Sequence, residues 1–287
     1  MATFRTLPEQ PPLTPPANTY ASVALRLSEI AARDLRCVLD IKYAENPAHR
    51  LDIYIPNETH GPAPVYICIH GGNWSHGYKE FMSFGAVPVT HAGAIFVAID
   101  YRLSGEAKFP AALNDCLTAI AWTRQNISIF GGDPSRLLLG GHSAGANLAA
   151  LAVLRRDLHA QYGLETAHFK GCCTYSGIYD LRADHVGNQG NTRAAIDAYL
   201  EKEEHAIDAS PICCISGNEV PFFVTWGGND YSVVKTQSPL FVEALSSAGV
   251  QVEAMELPGM DHFSIHLDHI RYDNDTNQKL AQWFRAG

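Results

Sequence analysis

The chain alternates between short, continuously apolar runs and longer stretches in which apolar residues recur at helical spacing. "APVYICIH" at 63–70, "AIFVAIDY" at 94–101 and "RLLLGG" at 136–141 have little polar interruption, as expected of strands buried on both faces of a sheet. "FKGCCTYS" at 169–176, "VPFFVTW" at 220–226 and "VQVEAMEL" at 250–257 continue the series. Ahead of them, "CVLDIKYA" (37–44) and "HRLDIYIP" (49–56) flank Asn46–Pro47 and predict an antiparallel pair joined by a turn. Helical spacing predicts helices over 20–35, 78–91, 110–127, 144–157 and 235–248, with a last one ending near Phe284.

Strands that alternate with helices imply a mostly parallel central sheet flanked by helices, an α/β fold. Asp133–Pro134 marks a turn ahead of the strand at 136. Two stretches depart from the alternation. "PEQPPLTPP" at 8–16 is proline-rich and predicts an extended N-terminal arm over residues 1–19. Residues 177–220 are polar and irregular, with one helix at "TRAAIDAYL" (192–200), and predict a small cap insertion over the sheet edge. With no internal repeat, residues 1–287 read as one domain.

Composition narrows the function. Hydrophobic residues make up 46% and charged residues 18% of 287, which is a globular balance. A net charge of −9 argues against a nucleic-acid partner and against a basic membrane-binding face. No apolar run is long enough to span a bilayer, and "MATFRTLPEQPPLTPP" lacks a charged start followed by an apolar stretch. The seven cysteines are odd in number, lack CxxC spacing and lie mostly in apolar surroundings. They read as reduced thiols in a cytoplasmic protein, and the neighbours Cys172 and Cys173 are expected to face opposite sides of a strand.

The candidate chemistry lies where "RLLLGG" runs into "HSAGANLAAL". Gly141-His142-Ser143-Ala144-Gly145 has the form G-x-S-x-G at a strand-to-helix join. A nucleophile raised above a sheet needs a sharp, strained turn with small residues two positions either side. The helix that follows aims its first N–H groups and its positive dipole end at an anion forming there. "ICIHGGNWSHG" follows the strand at 63–70, and its paired glycines let backbone N–H groups approach a developing oxyanion. The expected oxyanion loop is Gly71, Gly72 and Asn73, joined by the N–H of Ala144. His70 reads as a packing residue that orients this loop, and Trp74 as either a core aromatic or a wall of the substrate pocket.

A serine hydroxyl needs a histidine base oriented by a carboxylate. In hydrolases built on open α/β sheets the order is serine, acid, histidine. "WGGND" places Asp230, and "PGMDHFS" places His262, in loops after the last two predicted strands. Asp180 and Asp184 follow the wrong strand, Asp261 adjoins His262, and Asp268 lies beyond it. His262, His266 and His269 lack the H-E-x-x-H spacing of a zinc site, so no metal is expected.

On "HGGNW" (70–74), "DYRLSGEAKFPAALND" (100–115), "GGDPSRLLLGGHSAGANLA" (131–149), "SGIYDL" (176–181), "WGGND" (226–230) and "DHFS" (261–264), the chain resembles the α/β-hydrolase superfamily. The similarity is to the branch of hormone-sensitive-lipase-like esterases and kynurenine formamidases. H-G-G-x-W with "SGIYDL" resembles the formamidases, and "YRLSGEAKFPAALND" the short-chain esterases. The resemblance implies the α/β-hydrolase fold, with Ser143 as nucleophile, Asp230 as orienting acid and His262 as base. It implies a cofactor-free serine hydrolase acting on a small-molecule ester or aryl formamide, with a homodimer left open. Two other readings remain: a non-catalytic receptor on the same fold, and a thioesterase or peptidase with the same triad.

Overall fold

The computed structural model describes residues 3–59, 61–186 and 190–286. Eight strands form one sheet: β1 (Arg36–Lys42), β2 (Arg50–Ile55), β3 (Ala63–Ile69), β4 (Ile95–Ile99), β5 (Gly132–His142), β6 (Phe169–Tyr175), β7 (Phe222–Gly227) and β8 (Val252–Leu257). Their order is β1-β2-β4-β3-β5-β6-β7-β8. The β1–β2 and β2–β4 pairs are antiparallel and the remaining pairs parallel. The main helices are α1 (Pro15–Asp34), α2 (Ala111–Asn126), α3 (Ala144–Leu154), α4 (Ser232–Ser247) and α5 (Asp275–Ala286).

The continuous apolar runs are explained by two cores, one on each face of the sheet. Ile53, Ile67, Val97 and Leu139 pack on one face, and Tyr54, Tyr66, Phe96 and Leu138 on the other. Cys172 and Cys173 divide between the same two cores, and every cysteine is a free thiol. Among the described residues no helix is long and apolar enough to cross a membrane.

Three local expectations need correction. α1 begins at Pro15, so the expected arm ends earlier: Thr14 Oγ1 accepts from Ala17 N at 3.5 Å, and Pro15–Pro16 fill the first turn, where no backbone N–H is needed. Residues 78–91 are not one helix but two 3₁₀ turns, Lys79–Phe81 and Ser83–Gly85, followed by Ala86–His91. The Lys79 N–H donates to Asp100 Oδ1 at 2.6 Å. Its Nζ meets Asp40 and Asp52 at 3.1 Å each, as well as Glu80, so a buried charge cluster overrides the helical spacing. Asp133–Pro134 does not precede β5 but lies within it. The pairing with β3 jumps from Ala63↔Gly132 to Val65↔Leu137, and Asp133 Oδ1 accepts from Ser135 N at 2.9 Å to hold the bulge.

The stretch after β6 is tied to the sheet through α3. Asn147 is fully buried, and its Nδ2 donates to Ile178 O at 3.0 Å and Ala209 O at 3.1 Å. Asn147→Ala leaves both carbonyls without this donor and is expected to cost about 1–3 kcal/mol. Chemical denaturation measures the loss, and hydrogen exchange should rise first in the segments around 178 and 209.

Candidate active site

Ser143 joins β5 to α3 at φ 57° and ψ −121°, a left-handed conformation that a non-glycine residue adopts only when its surroundings enforce it. Its N–H donates to Tyr175 O on β6 at 2.9 Å. The flanking glycines are required by the backbone packed around them. A Cβ on Gly145 would fall 2.0 Å from Ile69 O, and one on Gly141 2.4 Å from the Gly145 carbonyl. Strand β3, strand β5 and helix α3 therefore meet backbone to backbone at the turn.

The 71–74 loop presses on this elbow. A Cβ on Gly71 would meet His142 O at 2.7 Å and Ser143 Cβ at 3.0 Å. Gly72 has φ +119°, and Asn73 and Trp74 are also left-handed at 55° and 56°. Gly72 O accepts from Ser75 N and His76 N at 3.1 and 2.9 Å, closing the turn. The N–H groups of Gly72, Asn73 and Ala144 donate to no protein acceptor among the described residues, which leaves them available to an incoming oxygen. Behind the loop His70 is buried and stacked on Tyr101 at 4.3 Å, and its Nδ1 donates to Gly71 O at 2.8 Å. Burial pushes this imidazole down to about 4.

The structure brings the three candidate side chains together. His262 Nε2 lies 2.9 Å from Ser143 Oγ, and His262 Nδ1 lies 2.8 Å from Asp230 Oδ1. Asp230 also accepts from Tyr231 N at 2.7 Å and from Ser176 Oγ. Burial works to raise the Asp230 carboxyl, but the hydrogen bonds from His262, Ser176 and Tyr231 outweigh it and hold the group below the usual carboxylate range. An ionised carboxylate here fixes Nδ1 as the protonated nitrogen and leaves the Nε2 lone pair facing the hydroxyl.

The other carboxylates are occupied elsewhere. Asp180 pairs with Arg182 at 2.6 Å, Asp261 accepts from Ser264 N at 2.7 Å, and Asp268 bonds Asn274 at 2.9 Å. Asp184 is exposed on the turn of helix Ala183–Val186. His266 and His269 are engaged by Tyr20 Oη at 2.8 Å and Asn277 Oδ1 at 2.9 Å.

Three contributors carried no signal that sequence reasoning used. His142 Nε2 donates to the His262 carbonyl at 2.7 Å, and its ring stacks on His266 at 4.7 Å. Burial, with His262 beside it, pushes the His142 imidazole down to about 3, so it stays neutral. Tyr20 of α1 stacks on Phe263 at 5.1 Å. Ser176, left-handed at φ 53° just after β6, completes the support of Asp230.

A cavity of about 950 Å³ lies over Ser143. Its walls come from Gln10–Thr14, from α1, from the 71–78 loop, from Thr192, Ala194 and Ala195 of helix Gly190–Tyr199, and from Tyr231 and Phe263. Trp74 is not among the lining residues. It is buried at 1% exposure and stacked on Tyr199 at 4.6 Å, so of its two readings the structure places it in the core. His142→Ala would free the loop that carries His262. Labelling of Ser143 by a fluorophosphonate is then expected to slow by roughly ten- to a hundredfold, the scale of a small misplacement of a reacting group. Intact-mass time courses measure the rate.

Comparison with known proteins points one way. The profile of the BD-FAE family matches residues 51–245. The chain is 31% identical over 250 residues to an isoprenylcysteine alpha-carbonyl methylesterase of Arabidopsis thaliana, covering 82% of this chain and 58% of that protein. It is 31% identical over 261 residues to a kynurenine formamidase of Salmo salar, covering 90% of this chain and 86% of that one. It spans less than two thirds of the length of the first curated relatives it matches. A hyperthermophilic esterase from the archaeon Pyrobaculum calidifontis superposes with a TM-score of 0.77 at 24% identity, over 93% of this chain and 92% of that one. The fold is that of the α/β hydrolases.

Proposed function

Because the chain belongs to the BD-FAE family, with the α/β-hydrolase fold, we propose that it is a serine hydrolase cleaving small carboxylic esters or aryl formamides through an acyl-enzyme. The observation that carries this reading is the single imidazole bonded at once to Ser143 Oγ and Asp230 Oδ1, at 2.9 and 2.8 Å.

In this reading His262 Nε2 takes the Ser143 proton as Oγ attacks the substrate carbonyl. The tetrahedral oxyanion is received by the N–H groups of Gly72, Asn73 and Ala144, with Gly71 holding the loop against the elbow. A lost donor of this kind typically costs about 2.7–4 kcal/mol of barrier stabilisation. Asp230 stabilises the imidazolium, which passes its proton to the departing alcohol or amine. Water then attacks the acyl-enzyme with His262 again as base, and Ser143 is regenerated. Every group in these steps belongs to this chain, so the cycle calls for no cofactor.

The names of the relatives, a methylesterase and a formamidase, support the two substrate classes. In the same reading the N-terminal segment and the 177–220 insertion form a small cap on one domain, a role supported by their share of the cavity wall. Free thiols support a cytoplasmic setting, and the charge of −9 supports the absence of a nucleic-acid partner. A receptor that had lost catalysis would be expected to lack one of the three side chains. A thioesterase or peptidase would share the chemistry and differ in pocket shape.

Ser143→Ala is expected to reduce p-nitrophenyl acetate hydrolysis by at least about a thousandfold with an unchanged circular dichroism spectrum. Turnover retained by this variant removes the serine from its role. Comparing kcat/KM for acyl esters of increasing chain length with that for an aryl formamide then ranks the substrates.

A further inference from the structure

The cavity over Ser143 presents only two kinds of ionisable group among the described residues. These are the imidazoles of His76, His142 and His262 and the phenols of Tyr20, Tyr78 and Tyr231. No Asp, Glu, Lys or Arg lines it among the described residues. Such residues form 18% of the chain, so a wall drawn at random would hold several.

Apart from His262, these groups are held neutral by burial. Burial pushes the His76 imidazole down and the His142 imidazole down to about 3, and it raises the phenols of Tyr20, Tyr78 and Tyr231. Only His262 changes charge during the proposed cycle, and its counter-ion is Asp230. A charged substrate group entering this space loses water and meets no side chain of fixed opposite charge among the described residues, which costs more than burying an amide or a hydroxyl. At about 950 Å³ the cavity is large enough to enclose most of a small substrate, so the charged end of a short molecule lies within it.

We propose that the site accepts substrates that are uncharged over the part it encloses, and discriminates against esters and formamides bearing a carboxylate or an ammonium. The inference rests on the serine-hydrolase reading and narrows it. Neutral esters and neutral aryl formamides fit, whereas N-formylkynurenine, with both charges on one carbon, does not.

Two matched pairs test this: methyl 4-acetoxybenzoate against 4-acetoxybenzoate, and 2′-formamidoacetophenone against N-formylkynurenine. Values of kcat/KM, each divided by the hydroxide-catalysed rate, are expected to favour the neutral ester by roughly a hundredfold. The neutral formamide is expected to exceed N-formylkynurenine likewise. Equal or higher values for the charged members, with turnover still dependent on Ser143, overturn the inference and leave the hydrolase reading standing. Ala194→Arg places a cation at an exposed helical position on the cavity wall. It is expected to lower the preference for the neutral ester at least about tenfold, and an unchanged preference counts against the inference. If all four compounds are left intact and a fluorophosphonate does not label Ser143, the hydrolase reading fails and this inference with it.

Discussion

The arrangement depends on the close approach of three backbones at Ser143. The end of β3, the end of β5 and the first turn of α3 touch where a Cβ on Gly145 would lie 2.0 Å from the Ile69 carbonyl. Only glycine permits this contact, and the contact in turn holds Ser143 at φ 57°. The same approach sets Gly71 against the serine from the β3 side. One steric constraint therefore positions a hydroxyl, the N–H groups of the adjoining loop and the dipole of a helix at a single point. No long flexible side chain is needed to bring them together.

The histidine side of the site is held by a glycine contact and by side chains together. The His262 loop follows the edge strand β8 and touches the end of β7 backbone to backbone: a Cβ on Gly227 would lie 2.3 Å from Met260 O, which accepts from Asn229 N at 2.9 Å. Side chains add to this hold. His142 donates to the His262 carbonyl, His142 stacks on His266, and Tyr20 from α1 bonds His266 and packs on Phe263. Stacked neutral imidazoles suit this task because burial disfavours their charged forms. They add no positive charge beside the imidazole that gains and loses a proton in the proposed cycle. α1 therefore supports the base loop as well as forming part of the cavity wall.

What the sequence made legible follows the same division. The convergence of Ser143, Asp230 and His262 was readable because each lies at the C-terminal end of a strand in an alternating pattern, the end at which an open α/β sheet opens its crevice. The sheet was readable because β3 and β4 are apolar on both faces. Features decided by distant contacts were not. Lys79 and Glu80 look like surface helix residues, yet they are buried among carboxylates from β1, β2 and the end of β4. Pro15 and Pro16 look like an arm, yet a threonine cap turns them into a helix start. Tyr20 and Ser176 carry no local mark of their roles. Trp74 could be read two ways until its stacking partner, Tyr199, was placed.

The buried charges behind the oxyanion loop complete the electrostatic picture. Asp100 lies 3.7 Å from His70, the residue that holds Gly71. An ionised carboxylate at that place would oppose negative charge developing in front of Gly72 and Asn73. Burial, reinforced by Glu80, pushes the Asp100 carboxyl up to about 8, which weakens that opposition near neutral pH. Lys79 stands among Asp40, Asp52 and Glu80, and Arg5 reaches Asp40 and Asp100 at 3.2 and 3.4 Å. The acidic groups behind the loop thus each stand beside a cation. In a chain with a net charge of −9, such local compensation limits the negative field at the proposed oxyanion loop, and Arg5 supplies part of it.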